Sequence, residues 1–127
     1  MADKDGIYKC SICGNVVECF EAYAGILVCC GKNMDKFDAK AEEEGTEKHK
    51  PVVTIEGNKV IVKVGEVPHP MDKEHFIELI EIMGGDEVIA SARCYPGSKA
   101  EAEFNLEKPE GVTARAYCNV HGLWKSE

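Results

Sequence analysis

"LVCCGKNM", residues 27–34, places Cys29 and Cys30 side by side. A disulfide between them is disfavoured, because a trans peptide holds neighbouring Cα atoms about 3.8 Å apart, short of the usual window for a bridge. The pair needs another partner, and "YKCSICGN", residues 8–15, supplies it in Cys10 and Cys13. Their C-x-x-C spacing lets one tight turn aim two sulfurs at a single ion. Cys10, Cys13, Cys29 and Cys30 therefore read as one four-thiolate metal site. The segment that carries them, up to about Asp38, is too short to fold readily without a staple, and four metal–sulfur bonds meet that need. "NVVECFEAY" and "GILVCC" read as two strands of a hairpin with Ala24 and Gly25 at its turn.

Outward from this segment the composition shifts. "DAKAEEEGTEKHK", residues 38–50, has almost nothing apolar to bury and reads as a linker, taken as 39–48. From Pro51 the chain becomes rich in β-branched residues. "VVTIEGNKVIVKV" holds two strand-like runs around Gly57 and Asn58, a strong hairpin signal. "EVIASARCY", "AEAEFNLE" and "VTARAYC" follow, separated by turn chemistry in "PGSK" and "KPEG". Short strands at this spacing predict a small antiparallel sandwich over 49–127. One stretch resists: in "MDKEHFIELIEIMGG" the residues Phe76, Leu79, Ile80 and Met83 fall at helical spacing, with Gly84 placed as a C-cap.

The 127 residues carry a net charge of −8, which argues against non-specific binding to nucleic acid or to an anionic membrane. No apolar run approaches the roughly 20 residues that span a bilayer, and "MADKDGIYK" lacks the apolar core of a signal peptide, so the expected compartment is the cytoplasm. Seven cysteines is an odd count in such a chain, and favours metal ligation over a disulfide framework. Cys19 and Cys94, outside the four-thiolate set, read as small buried side chains.

Four histidines are present, at 49, 69, 75 and 121. His69 is bracketed by Pro68 and Pro70, which bias it toward a rigid, extended conformation. Cys118 and His121, with Gly122 to turn the chain, are spaced as two ligands of one ion could be. A thiolate with neutral imidazoles suits iron, zinc or copper and disfavours magnesium or calcium. Spacing alone leaves each of these five residues more often a surface or core residue than a ligand.

Taken in order, "YKCSICGNVVE", "LVCCG", "EKHKPV", "VPHPMDKEHFIE" and "AYCNVHGLWK" resemble desulfoferrodoxin, the two-iron form of superoxide reductase. The resemblance implies a mainly β protein: a desulforedoxin-like domain over 1–38 and an immunoglobulin-like antiparallel β-sandwich that carries catalysis. It implies two non-haem irons, one held tetrahedrally by Cys10, Cys13, Cys29 and Cys30. The other takes equatorial imidazoles from His49, His69, His75 and His121 and an axial thiolate from Cys118, in square-pyramidal geometry. It further implies a homodimer, with rubredoxin or a similar small protein as electron donor. With the resemblance and the surrounding strands, residues 72–83 are expected as strand despite their helical periodicity.

Five ligands would leave the sixth octahedral position open to superoxide, and a thiolate opposite it would push charge toward the substrate. Lys48, beside His49, would offset the overall negative charge by attracting the anion, with Lys50 adding to the field. The resemblance also implies that Glu47 occupies the sixth position in the ferric state. Two other classes compete. A non-catalytic two-iron electron carrier would lack an exchangeable position, and a zinc-stabilised binding module would be colourless.

Overall fold

The computed structural model describes residues 1–41 and 46–126, the side chains of Thr46 and Glu47 excepted. The chain divides into two compact units, Met1–Asp38 and Ala39–Glu127. The expected linker falls partly outside the described residues. Within its described part, Lys40 is bridged to Trp124 and a single helical turn, α1, covers Thr46–His49.

In the first unit, β1 (Ile7–Lys9) lies between β2 (Val16–Glu18) and β5 (Asp35–Lys36), while β3 (Val28–Cys29) pairs only with β4 (Lys32–Asn33). The expected hairpin between 15–23 and 25–30 does not form. Each cysteine-bearing segment instead turns back on its own neighbour, around Gly14 (φ 84°) in one case and around Cys30 (φ 54°) and Gly31 (φ 74°) in the other. Left-handed backbone at these positions is what lets each pair of sulfurs face inward. The apolar core is slight: Ala2, Tyr8 and Cys19 are buried, with Ala22, Leu27 and Met34 packed against them.

The second unit is a sandwich of seven antiparallel strands. One sheet is β10 (Glu101–Asn105), β7 (Lys59–Val64) and β6 (Pro51–Glu56), in that spatial order. The other is β12 (Gly122–Lys125), β11 (Thr113–Cys118), β8 (Ile77–Gly84) and β9 (Glu87–Arg93). β6 and β7 form the hairpin read from the sequence, with Glu56 opposite Lys59 across Gly57 and Asn58. Alternation on β7 sends Val60, Val62 and Val64 inward, where they meet Ile77, Ile80, Ile82, Ala114, Ala116 and Cys118 from the opposing sheet. Cys94 is buried in the same core.

Of residues 72–83, expected as strand, only those from Ile77 onward are strand, as β8. Residues 72–75 form a turn instead, closed by the paired hydrogen bonds between Asp72 and His75. The helical periodicity has a physical origin. β8 is buried on both faces: Ile80 and Ile82 look into the sandwich, while Glu81 and Met83 on the other face are also buried. A doubly buried strand loses its period of two. Glu81, 1% exposed, is held by Arg115 directly opposite on β11, through bonds of 2.6 and 2.9 Å to one carboxylate oxygen. Removing one partner of so buried a pair leaves a desolvated charge, so Arg115→Ala is expected to lower stability by about 3–5 kcal/mol, measured by denaturant titration. Replacing both residues together with apolar ones of similar volume is expected to cost far less.

Candidate metal centres

The first centre is built by the two cysteine turns. The donor atoms of Cys10, Cys13, Cys29 and Cys30 all lie within 4.8 Å of one another. Cys13 Sγ and Cys29 Sγ are 3.6 Å apart, and sulfurs placed tetrahedrally about 2.3 Å from one ion would be separated by about 3.8 Å. The N–H groups of Ile12 and Cys13 each donate to Cys10 Sγ at 3.4 Å, and these bonds pull the Cys10 thiol down to about 6. The crowding acts in the opposite sense on Cys29, whose thiol is pushed up to about 12, first by its contact with Cys13 and then by Cys10. A cation at the centre of the four removes that conflict. Cys10 is buried, whereas Cys13 and Cys30 reach the surface.

The second centre gathers five side chains from distant parts of the chain. His49 ends α1 and His69 follows β7. His75 precedes β8, Cys118 ends β11, and His121 closes the turn into β12. Their donor atoms also lie within 4.8 Å of one another. The imidazoles run round a ring in the order His49, His69, His75, His121, with centroids separated by 4.6, 4.8, 4.9 and 4.6 Å. The His49–His75 diagonal is 6.4 Å, close to the ratio of diagonal to side in a square. His121 Nδ1 sits 3.1 Å from His49 Nε2 and 3.2 Å from His75 Nε2. Two nitrogens at right angles, each about 2.1 Å from one ion, would be about 3.0 Å apart.

His69 provides an independent test of fit. Its Nδ1–H donates to the Pro70 carbonyl at 2.6 Å, which leaves Nε2 as the lone-pair nitrogen. That atom is buried without a hydrogen-bond partner. Burial, with the other three imidazoles adding to it, pushes this imidazole down to about 4, so it stays neutral as a ligand must. A buried, unprotonated and unpartnered nitrogen aimed at three other imidazoles is what a borderline metal ion satisfies.

Cys118 is fully buried in the sandwich core. Burial pushes its thiol up, while the N–H groups of His121 and Val120 pull it down; that of His121 donates to Sγ at 3.4 Å. The intervening Asn119 N–H does not join them, being committed to the Phe76 carbonyl at 3.2 Å. The centre therefore has a dry, sulfur-bearing side, whereas His121 is exposed, His75 is half-buried and Lys48 is exposed.

Two supporting residues escaped the sequence reading. Trp124, 2% exposed, stacks on His49 with centroids 4.9 Å apart and an interplanar angle of 19°, and its indole N–H donates to the His121 carbonyl at 3.2 Å. Lys40 donates to the same carbonyl at 3.2 Å and lies 5.5 Å over the Trp124 ring. A lone tryptophan two residues into an unpredicted strand gave no signal of this. The Glu47 side chain, expected to take the sixth position, lies outside the described residues.

Comparison with known proteins matches residues 41–127 to the family described as desulfoferrodoxin and residues 2–37 to its N-terminal domain. A desulfoferrodoxin homolog of Archaeoglobus fulgidus is 50% identical over 120 residues, spanning 94% of each chain. A superoxide reductase of Pyrococcus horikoshii is 37% identical over 98 residues, covering 64% of this chain and 85% of its own. The crystal structure of the superoxide reductase from Treponema pallidum superposes over the whole of both chains with a TM-score of 0.75 at 24% identity, which establishes a common fold. The four-cysteine group and the group of four histidines with one cysteine fit two iron sites.

Proposed function

Since the chain belongs to the desulfoferrodoxin family, we propose that it is a superoxide reductase, adding one electron and two protons to superoxide to give hydrogen peroxide at the histidine-rich second centre. The single observation that carries this reading is the square of four imidazoles over one buried sulfur, with exposed residues on its rim. His49, His69, His75, His121 and Cys118 would hold a ferrous iron, which would supply the electron when bound. The remaining work falls to the chain itself. Burial pushes the Cys118 thiol up and excludes water from the sulfur, the N–H groups of His121 and Val120 partly offset that, and a bound cation would complete its deprotonation. Trp124 and the Pro70 carbonyl fix the His49 and His69 rings, so their nitrogens need no reorganisation to hold the ion. The exposed rim admits the small anion and lets water deliver the protons.

Lys48, exposed on the last turn of α1 beside His49, is the residue proposed to draw superoxide in. Its replacement by alanine is expected to lower the second-order rate constant with superoxide about 10-fold and to flatten its dependence on ionic strength. Stopped-flow or pulse-radiolysis kinetics measure both. Glu47 is proposed to fill the sixth position of the oxidised centre, a role that a change in the ferric absorption of Glu47→Ala would support.

Electrons are proposed to arrive from rubredoxin or a similar small carrier. The first centre supports this with Cys13 and Cys30 at the surface and a groove of about 560 Å³ at Cys13, lined in part by Ile12, Lys9 and Lys36. A homodimer is proposed because the first unit alone exposes Ile12, Phe20, Tyr23, Ile26 and Val28, with Phe20 81% and Tyr23 80% accessible. Among the described residues no helix is long and apolar enough to cross a membrane, and the cytoplasm is the proposed location.

The deciding experiment mixes the reduced, iron-loaded protein with a pulse of superoxide. One peroxide per superoxide, oxidation of the second iron and no evolved oxygen are expected. Evolution of oxygen would show dismutation and overturn the reading.

A further inference from the structure

The ladder between β8 and β11 breaks at the second centre. Its register shifts between Tyr117 and Cys118, and the last pair is Cys118 opposite Ile77. Beyond that pair the two chains diverge, one into the turn that carries His121 and the other into the loop that carries His75. What joins them is Asn119. Its Oδ1 accepts from the Phe76 N–H at 3.0 Å, its Nδ2 donates to the Glu74 carbonyl at 3.0 Å, and its own N–H donates to the Phe76 carbonyl at 3.2 Å. The His75 N–H and carbonyl are themselves tied back to Asp72, both at 3.0 Å.

We propose that Asn119 is a positioning residue for His75, its side-chain amide acting as one extra rung of the sheet that locks this imidazole to the neighbouring Cys118 sulfur. Only an amide serves both arms. The Phe76 N–H demands an acceptor and the Glu74 carbonyl demands a donor, so the orientation of the group is fixed by its partners. Because Asn119 directly follows Cys118, and its partners flank His75 on both sides, movement of one ligand is transmitted to the other through three hydrogen bonds. Side chains beyond the ligands that orient them in this way typically govern 10- to 100-fold of metal affinity.

The inference rests on the reading of His75 as a ligand, and a double-mutant cycle separates the two. Cobalt(II) is titrated into the metal-free full-length protein, with binding at the second centre followed by its absorption, in the parent, Asn119→Ala, His75→Ala and the double variant. Asn119→Ala is expected to weaken binding at the second centre about 10- to 100-fold and to leave the four-thiolate centre unchanged. In the His75→Ala background the same change is expected to have almost no effect, because the residue it acts through is gone. Asn119→Asp keeps the bond to Phe76 but sets a carboxylate against the Glu74 carbonyl, and its affinity is expected to fall between parent and alanine. An equal loss in both backgrounds would overturn the proposal, showing that Asn119 acts on the Cys118–His121 turn alone. Parental affinity in Asn119→Asp would overturn it as well. If His75→Ala itself binds cobalt like the parent, it is the assignment of the ligand that fails.

Discussion

Cys118→Ser is expected to abolish the reaction with superoxide, while Cys13→Ser leaves most of it intact. The asymmetry follows from where the two sulfurs sit. Cys118 is the single sulfur among five donors, buried at the end of β11 and supplied with N–H donors that partly offset the cost of charging it there. A serine hydroxyl there is a harder ligand that remains protonated near neutral pH, so the electron-rich donor is lost together with part of the metal affinity. A loss of about 100-fold or more in rate, equivalent to about 2.7 kcal/mol of barrier, is expected. Cys13 belongs to the other compact unit and to the other donor set, and sites that share no partners act independently to a first approximation. The measurement is the rate of oxidation of pre-reduced protein by superoxide. Equal losses in the two variants would place catalysis at the wrong centre.

Removal of the metal from the first centre is expected to unfold residues 1–38 and to leave the sandwich folded. The reason lies in the core. Among the described residues its clustered core is Ala2, Tyr8 and Cys19 with three partly buried neighbours, and Ile7 and Cys10 are the other buried apolar side chains, whereas the second unit closes ten buried residues between its two sheets. So small an apolar core cannot offset the ordering of a 38-residue chain. Structural metal binding in small domains supplies an apparent 10–16 kcal/mol at pH 7, and here most of it must be spent on folding. Hydrogen exchange under reducing conditions, with and without a chelator, is the test. Protection should vanish from the amides of β1, β2 and β5 and persist in β7, β8 and β11. Retained protection in the first three strands would show that the unit stands without its ion.

Much of this was legible in the residues, for reasons that differ by element. The four-thiolate site could be read directly because adjacent cysteines and a C-x-x-C pair restrict the geometry locally. The β6–β7 hairpin could be read because Gly57 and Asn58 determine the turn. The second centre could not be assembled from spacing, since its five ligands are drawn from α1, from β11, and from the turns and loops after β7, before β8 and before β12. Only the family resemblance brought them together in advance. The hairpin expected in the first unit failed because strand propensity in "NVVECFEAY" says nothing of which edge it will find. β8 looked helical because both of its faces are buried. The contacts of Trp124, Lys40 and the Asn119 side chain stayed invisible, since each acts on a backbone group that only the folded chain brings within reach.

The central claim is that four imidazoles and one thiolate enclose a single iron and leave one side of it accessible. X-ray absorption at the iron edge of Cys13→Ser, loaded at the second centre only, tests this most directly, recorded before and after addition of cyanide. A shell of four nitrogens and one sulfur that gains a further light ligand with cyanide is the predicted result. Two or more sulfurs in the shell, or a shell that cyanide leaves unchanged, would contradict it.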